Sequence, residues 1–165
     1  QGRIGAWGIT GIGIPDRIVA ALQDSPRPGV VQCIANPIDS VGELQYFPGP
    51  TRARAIIADA KEHGIGVMGI RAVQGGTFTG AVDRVLPDDH GVVADFKRAT
   101  GFRALASELG QSAAALAHRY ALSMDGVDTV VLGVKNRAEL AECLKAEATG
   151  PLDAALMARV TASFT

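Results

Sequence analysis

Four short apolar runs recur along the chain, and none of them alternates polar with apolar positions. The runs cover residues 4–9, 30–35, 66–70 and 129–134. Continuous apolar runs of this length, bounded by turn residues, are typical of parallel β-strands that are covered on both faces. The pattern therefore predicts four buried parallel strands.

The segments between these runs show the 3.6-residue apolar period of helices. Pro15 suits the first turn of a helix that ends before Pro26. Thr51 is the predicted N-cap of the second helix and Gly64 its terminator. Further helices are predicted at residues 92–109, 112–123, 137–146 and 152–160.

This alternation of strands and helices predicts an α/β protein. It is typical either of a doubly wound sheet or of part of a (β/α)₈ barrel. A full barrel needs roughly 250 residues, so a chain of 165 residues supplies about half of one. Two long loops, residues 39–50 and 71–91, follow strands at the end where ligands bind in either architecture.

Composition narrows the class of protein and its partners. The length fits one domain, residues 1–165, and 16 Lys and Arg residues nearly balance 17 Asp and Glu residues. Neither a nucleic-acid partner nor a membrane partner is expected, because there is no basic patch, no spanning run and no signal peptide. Cys33 and Cys143 lie in apolar patterns without metal-ligand spacing, as reduced core thiols do. We therefore expect a cytoplasmic protein without a metal site.

The beginning of the chain has the features of a fragment. It starts at Gln1 without methionine and enters an apolar run within three residues. Ordinary processing or trimming of the chain is the alternative explanation. We expect a fragment that starts inside a domain.

The junction after the fourth apolar run has two interpretations. Asn136 is a predicted N-cap, and Glu139 completes a pattern that resembles a capping box. The free N–H groups of the helix start also suit a phosphate, since Gly133 permits close approach and Lys135 or Arg137 adds positive charge. Both interpretations hold together.

Polar residues at the ends of the other strands are further candidates. Arg71 follows the third run and precedes glycines, which suits an anion site, although it would also suit an arginine that leaves the core for solvent. Thr10 and Gly11 follow the first run, and Gln32 lies inside the second, where a buried amide needs a partner. Of the three histidines, only His90, in the long loop, is a candidate for catalysis.

Five segments together resemble the second half of an aldo-keto reductase. They are AWGITGIG, VVQCIANPIDS, GVMGIRAVQGG, ELGQSAAALAHRYAL and VVLGVKNRAELAECL, in the order of that family. The resemblance implies a (β/α)₈ barrel that uses a nicotinamide cofactor, without metal, to interconvert carbonyls and alcohols. It makes the four predicted strands the fifth to eighth of the barrel, so that the chain is its C-terminal half.

The resemblance also implies the nicotinamide end of a cofactor site. Thr10 and Gly11 match a Ser-Asn pair that holds the carboxamide, and Gln32 matches a Gln with the same task. Ile70 stands where many members stack an aromatic ring. Since Gly11 has no side chain to donate and Ile70 cannot stack, looser recognition of the nicotinamide is expected.

The pyrophosphate and adenosine ends follow from the same resemblance. The matching residues are Arg71, Ala72 and Val73 for the pyrophosphate, Gly133, Val134 and Lys135 for the adenosine phosphate, and Glu139, Glu142 and Cys143 near the adenosine. Glu139 replaces a frequent Arg and would repel the 2′-phosphate of NADP. NAD is therefore favoured over NADP, with Lys135 and Arg137 as the residues that would reverse this preference.

The resemblance assigns no catalytic residue to this chain. The Asp, Tyr, Lys and His that catalyse the family's reaction come from the first half of the barrel. Tyr46 lies in a loop without a partnered Lys, and Tyr120 lies on a helix. We expect the chain to be inactive alone, since proton transfer by the Tyr accompanies hydride transfer in this chemistry.

Three hypotheses follow. The first is the cofactor-binding half of an NAD(P)-dependent enzyme that oxidises or reduces a small sugar or aldehyde. The second is a half-barrel that binds a nucleotide or phosphate without catalysis, or that self-associates through its open strand edges. The third is an unrelated phosphate-binding α/β protein, which leaves the five ordered segments unexplained.

Overall fold

The computed structural model describes residues 2–164. Gln1 and Thr165 lie outside the described residues, and with them the predicted start and the outer bounds of the predicted domain. The strands are β1 (Gly8–Thr10), β2 (Val30–Ile34), β3 (Gly66–Ile70) and β4 (Thr129–Val130). The helices are α1 (Pro15–Gln23), α2 (Ala53–Glu62), α3 (Gly91–Arg98), α4 (Thr100–Glu108), α5 (Ala113–Leu122), α6 (Arg137–Thr149) and α7 (Ala154–Ala162).

The strands form one parallel sheet in the order β1-β2-β3-β4. At least one helix lies between each strand and the next, so the parallel strands are joined by helical crossovers as in (β/α) units. Two 3₁₀ turns, Gly42–Leu44 and Gln74–Gly76, interrupt the long loops after β2 and β3. The predicted α/β class is confirmed, and the sheet is consistent with part of a (β/α)₈ barrel.

Helices cover only one face of the described sheet. Val31, Cys33 and Val67 point to that face and belong to the main core, together with residues of α1, α2, α4 and α5. The opposite face carries a row in register across all four strands, and its members are half-buried or exposed: Thr10, Gln32, Met68 and Thr129. The prediction of strands covered on both faces was therefore wrong.

The outer strands are shorter than predicted. Gly8 is paired with Val30, the first residue of β2, so residues 4–7 have no strand beside them. At the other edge Val130 is paired with Gly69, one residue before β3 ends. The apolar runs extend further than the ladders, and residues 131–134 are exposed.

Two helix predictions also need correction. The N-cap of α2 is Arg52, with φ of 49°, while the Thr51 hydroxyl donates to the carbonyl of Asp39 at 2.8 Å. The helix predicted over residues 92–109 is two helices that meet at Ala99. At this break the Thr100 hydroxyl donates to the Lys97 carbonyl at 2.8 Å, a side-chain bond that competes with the helical ladder.

Other local signals are confirmed. Pro15 opens α1, and the helix predicted over residues 112–123 is α5, whose N-cap Ser112 accepts from the Ala115 N–H. Gly64, with φ of 67°, follows the end of α2. Within residues 2–164, no helix has the length and apolar character to cross a membrane.

Candidate functional site

A cavity of about 650 Å³ lies at the carboxyl ends of β3 and β4. Its walls are the loop after β3, the β4–α6 junction, and the facing sides of α5 and α6. It brings together all of the predicted cofactor-binding residues except Thr10, Gly11 and Gln32. Those in its lining are Ile70, Arg71, Ala72, Val73, Gly133, Val134, Lys135, Glu139, Glu142 and Cys143.

Arg71 enters this cavity from the end of β3 and is held by side chains around it. Its Nε donates to Oε1 of Gln74 at 2.6 Å, and its Nη2 donates to Oε2 of Glu43 at 3.1 Å. Burial raises the pKa of Glu43, but its own backbone N–H and the charges of Arg71 and Arg84 lower it by a larger amount. The pKa of Glu43 therefore lies below its ordinary value. The guanidinium is therefore anchored on one side and does not extend freely into solvent.

A second arginine, Arg84, meets Arg71 at this wall and was not among the predicted site residues. Its Nη1 donates to the Gly75 carbonyl at 3.1 Å. A Cβ placed on Gly75 would lie 3.3 Å from Nη2 of Arg84 and 3.4 Å from Nη2 of Arg71. Two guanidinium groups thus converge where glycine leaves room, which is a suitable arrangement for a doubly charged anion.

The β4–α6 junction is capped as predicted. The Asn136 side chain accepts from the Glu139 N–H at 3.0 Å. In a capping box the Glu139 carboxylate would accept from the N–H of Asn136. Here it accepts from the N–H of Lys135 at 2.8 Å. The cap therefore uses one N–H group of the helix start, that of Glu139, and the Glu139 carboxylate uses the N–H of the preceding loop.

The side chain of Lys135 is also occupied. Its Nζ contacts the Asp83 carboxylate and lies 3.5 Å from Oε1 of Glu139. The hydrogen bond that Lys135 donates to Asp83 raises the pKa of Lys135 and lowers the pKa of Asp83. The positive charge at this end of the cavity is shared with two carboxylates, while Arg137 is exposed outside the lining.

A buried histidine–cysteine pair forms the wall between α5 and α6. Nε2 of His118 lies 3.2 Å from Sγ of Cys143, and Nδ1 of His118 is buried without a hydrogen-bond partner. Burial lowers the pKa of His118, although Glu142 opposes this shift. Burial, with Glu142 and Glu139, raises the pKa of Cys143. Both groups are therefore favoured in their neutral forms.

The remaining predicted residues lie outside the cavity lining, Thr10 and Gln32 on the uncovered face of the sheet and Gly11 directly after β1. The amide of Gln32 is half-buried and makes no hydrogen bond to any described residue. Gly11 is buried against β2, where a Cβ would lie 2.8 Å from the Gln32 carbonyl and 3.2 Å from Sγ of Cys33. A side chain at position 11 would therefore conflict with the packing against β2.

The aromatic and imidazole candidates for proton transfer lie elsewhere. His90 is the N-cap of α3 and accepts from the Val92 N–H at 3.2 Å. The hydroxyl of Tyr120 accepts from Nη2 of Arg54 at 2.8 Å, and Tyr46 is 73% exposed. These are the two tyrosines of the chain, and neither lines the cavity. Residues 2–164 contain no cluster of three His, Cys, Asp or Glu side chains suited to a metal.

The parallel sheet, with its helices on one face and a cavity at the carboxyl ends of its strands, defines an α/β protein that resembles part of a (β/α)₈ barrel. A sequence model of the aldo/keto reductase family matches residues 1–164. The chain belongs to the aldo/keto reductase family, as the resemblance predicted. Membership supports an oxidoreductase-like function, and the family generally uses NAD(P)H and acts on carbonyl substrates. A search of curated proteins found no match.

Proposed function

We propose that residues 1–165 are a single domain, the C-terminal half of an aldo/keto reductase barrel, and that β1 to β4 are its fifth to eighth strands. In this proposal the domain binds a nicotinamide dinucleotide for an enzyme that interconverts a small sugar or aldehyde and its alcohol or oxidised form. The observation that carries it is the convergence of Arg71 and Arg84 over Gly75 inside the cavity.

The residues present fit such a cofactor. A volume of about 650 Å³ lies within the usual range for small-molecule sites. The arginine pair suits the pyrophosphate, and the wall that includes Glu142 and Cys143 suits the adenosine end. On the sheet, the unbonded amide of Gln32 suits a carboxamide. When bound, the nicotinamide supplies hydride transfer, and the role of these side chains is to bind and orient it.

The charges at the adenosine end support NAD as the preferred cofactor. Asp83 and Glu139 both contact Lys135, so its charge is largely neutralised before any phosphate arrives. A 2′-phosphate at this position would meet two carboxylates, whereas the uncharged ribose hydroxyl of NAD would not. The proposed preference for NAD therefore follows from Glu139, which occupies a position where the family frequently has an arginine.

Fluorescence titration of the chain with NADH and with NADPH tests this preference. We expect a lower Kd for NADH, and we expect Glu139→Gln to tighten NADPH binding about fivefold, as loss of one partly exposed charge contact allows. Glu147→Gln, on the exposed side of the same helix, is the matched control and leaves both Kd values unchanged. Tighter binding of NADPH by the unaltered chain would contradict the preference.

The chain alone is proposed to be catalytically inactive. Neither tyrosine lies at the cavity, and the family's Tyr, Lys, Asp and His come from the other half of the barrel. A bound cofactor would therefore lack the tyrosine that donates the proton in this family's chemistry. We expect no loss of NADH absorbance when the purified chain is mixed with a panel of aldehydes and sugars. Carbonyl-dependent oxidation of NADH, lost again in Arg71→Ala, would overturn this expectation.

A second candidate function, a nucleotide-binding or interaction half-barrel without catalysis, is favoured by the distribution of exposed apolar side chains. Apart from Tyr46 and Val85, each exposed large hydrophobic residue of the described chain lies in a segment next to β1 or in the β4–α6 segment. These residues are Ile4, Trp7 and Ile14, and Val131, Leu132, Val134, Leu140 and Leu144. Such edges suit self-association, since outer strands carry unpaired backbone groups.

A cytoplasmic location is part of the same proposal. Cys33 and Cys143 are both free and buried, and burial raises the pKa of Cys33 to about 12. Such thiols are inert and persist in a reducing compartment. The proposal thus places the protein where nicotinamide cofactors are abundant.

A further inference from the structure

A series of hydrogen-bonded polar groups connects Arg71 to residues outside the cavity lining. Gln74 is in the lining beside Arg71, whereas Ser40 and Asp95 are not. Oε1 of Gln74 accepts from Nε of Arg71 at 2.6 Å, and Nε2 of Gln74 donates to Oγ of Ser40 at 3.0 Å. The Ser40 hydroxyl donates to the carboxylate of Asp95 on α3. This hydrogen-bonded series therefore connects the carboxylate of Asp95 on α3 to the guanidinium of Arg71 at the end of β3.

The chemistry of these groups permits only one orientation of the Gln74 amide. Arg71 is only a donor, so it requires the oxygen Oε1. The Asp95 carboxylate is only an acceptor and lies 3.4 Å from Nε2. Ser40 fits between them, because its hydroxyl accepts from Gln74 and from the Gly42 N–H, at 3.0 Å, while it donates to Asp95. Each hydrogen-bonding position of this hydroxyl is used.

This arrangement has costs that packing alone does not explain. Gln74 is 0% exposed and Asp95 is 8% exposed, and burying an amide and a carboxylate is unfavourable unless their hydrogen bonds are made. Arg71 and Gln74 also adopt left-handed backbone conformations, with φ of 59° and 46°. Such conformations persist where the surroundings fix them, and they cluster at ligand sites.

Gly42 leaves the space that these polar side chains fill. A Cβ on Gly42 would lie 2.6 Å from Nε2 of Gln74 and 3.4 Å from Nη2 of Arg71. The backbone of Arg71 is held as well, because its carbonyl accepts from Nδ2 of the buried Asn36 at 3.2 Å and from the Gln74 N–H at 3.0 Å. The side chains of Asp95, Ser40 and Gln74 lead to the side chain of Arg71.

We propose that Asp95, Ser40 and Gln74 are positioning residues that hold the guanidinium of Arg71 ready for an anionic group in the cavity. The inference rests on the proposed function for the identity of that group, a dinucleotide pyrophosphate. Pre-organisation lowers the entropy that the long arginine side chain would otherwise lose on binding. Ser40 and Asp95 lie outside the cavity lining. Gln74 is in the lining, but it is 0% exposed and its amide bonds Arg71 and Ser40, so the effect of all three residues reaches the ligand through Arg71.

The test combines a readout of Arg71 itself with a binding readout. In isotope-labelled protein, the side-chain Nε–H signal of Arg71 is assigned by its loss in Arg71→Lys, and its hydrogen exchange is measured by NMR. We expect slow exchange in the unaltered chain and at least about tenfold faster exchange in Gln74→Met and in Asp95→Asn. We expect the Kd for NADH to rise about tenfold in both variants.

Gln111→Met is the matched control. Oε1 of Gln111 accepts from Nη1 of Arg119 at 3.3 Å, an equivalent amide–guanidinium contact outside the cavity lining. This variant should leave the Arg71 exchange rate and the Kd unchanged. If Gln74→Met and Asp95→Asn lower stability without changing the exchange rate, or speed exchange without weakening binding, the positioning role is overturned.

The same experiment separates failure of this inference from failure of the proposed function. An unaltered chain that binds neither NADH nor inorganic pyrophosphate overturns the proposed function. In that case the exchange rates of the Arg71 Nε–H alone test the positioning role. Faster exchange in both variants supports positioning of Arg71, and unchanged exchange overturns it.

Discussion

The imidazole of His118 occupies a position where a positive charge is costly. It is buried between α5 and α6, with Nε2 at the thiol of Cys143 and Nδ1 unpaired. Burial lowers its pKa below the ordinary value of 6.5, and Glu142 only partly opposes the shift. The folded state therefore binds this proton less readily than the unfolded chain.

This difference predicts a pH dependence of stability. Between the ordinary pKa of 6.5 and the lower folded pKa, the unfolded state binds more protons, so the free energy of unfolding falls as pH is lowered through that interval. We expect His118→Gln to remove this part of the slope. Urea unfolding of both proteins at several pH values gives the measurement. A difference between them that does not vary with pH would contradict the prediction.

Single residues differ in how far the sequence alone reveals them. Asn136 and Pro15 were found because a cap or a first turn is defined by neighbours in sequence. Arg84 and Gln74 were missed because their roles depend on contacts across a loop that has no periodic pattern. A buried glutamine in a glycine-rich loop carries no local signal, since its partners Ser40 and Asp95 are distant along the chain.

At the level of elements, the packing of α7 on α4 depends on one glycine. A Cβ on Gly101 would lie 2.3 Å from the Ser163 carbonyl, which is far inside van der Waals contact. Directly after Ser163, the ring of Phe164 stacks on Phe102 with centroids 5.8 Å apart and meets Phe78 at 6.1 Å. The close approach of the two helices therefore places an aromatic cluster in the core.

Gly101→Ala sets two effects against each other. Alanine favours a helix over glycine by about 1 kcal/mol, but the steric conflict with backbone must displace α7 and its aromatic contacts, at about 1–3 kcal/mol. We expect a net loss of about 1 kcal/mol in the free energy of unfolding, measured in urea. Gly5→Ala, in open space, is the control. Stabilisation by Gly101→Ala would show that helix propensity dominates.

Elements were predicted better than their ends. All four strands and most helices follow from apolar periodicity and turn residues, because these signals are local. The predicted ends of β1 and β4 were wrong because the length of a strand depends on its pairing with a neighbour, and neither segment alone specifies that pairing. The division at Ala99 was missed for a related reason, because the side chain of Thr100 competes with a helical pattern that otherwise continues.

For the whole molecule, the open sheet predicts association between copies. Leu144 is 58% exposed on α6, in the apolar segment that adjoins β4. We expect a concentration-dependent oligomer in size-exclusion chromatography with light scattering, and Leu144→Lys to shift it toward monomer. Val85→Lys is the control, because Val85 is exposed in a different segment. A monomer at all concentrations would contradict the prediction.

The family and the strand-end location of a site followed from the sequence, while the shape of the sheet did not. The apolar runs suggested burial on both faces, yet Gln32 and Met68 lie on a face without helices. Apolar composition does not distinguish a covered face from one that is only half-buried. Of the four residues predicted for the nicotinamide end, Thr10, Gly11 and Gln32 lie apart from the cavity, and only Ile70 lines it.

The register of β2 with its neighbours limits how this protein can change over evolutionary time. Gln32 and Cys33 point to opposite faces of the sheet. Loss of a single residue from β2 would turn the amide into the helix-covered core and the thiol toward the open face. Substitutions can accumulate at either position separately, but an insertion or deletion inside this strand would exchange the two environments at once. Length variation is therefore expected in the loops and excluded from the strand.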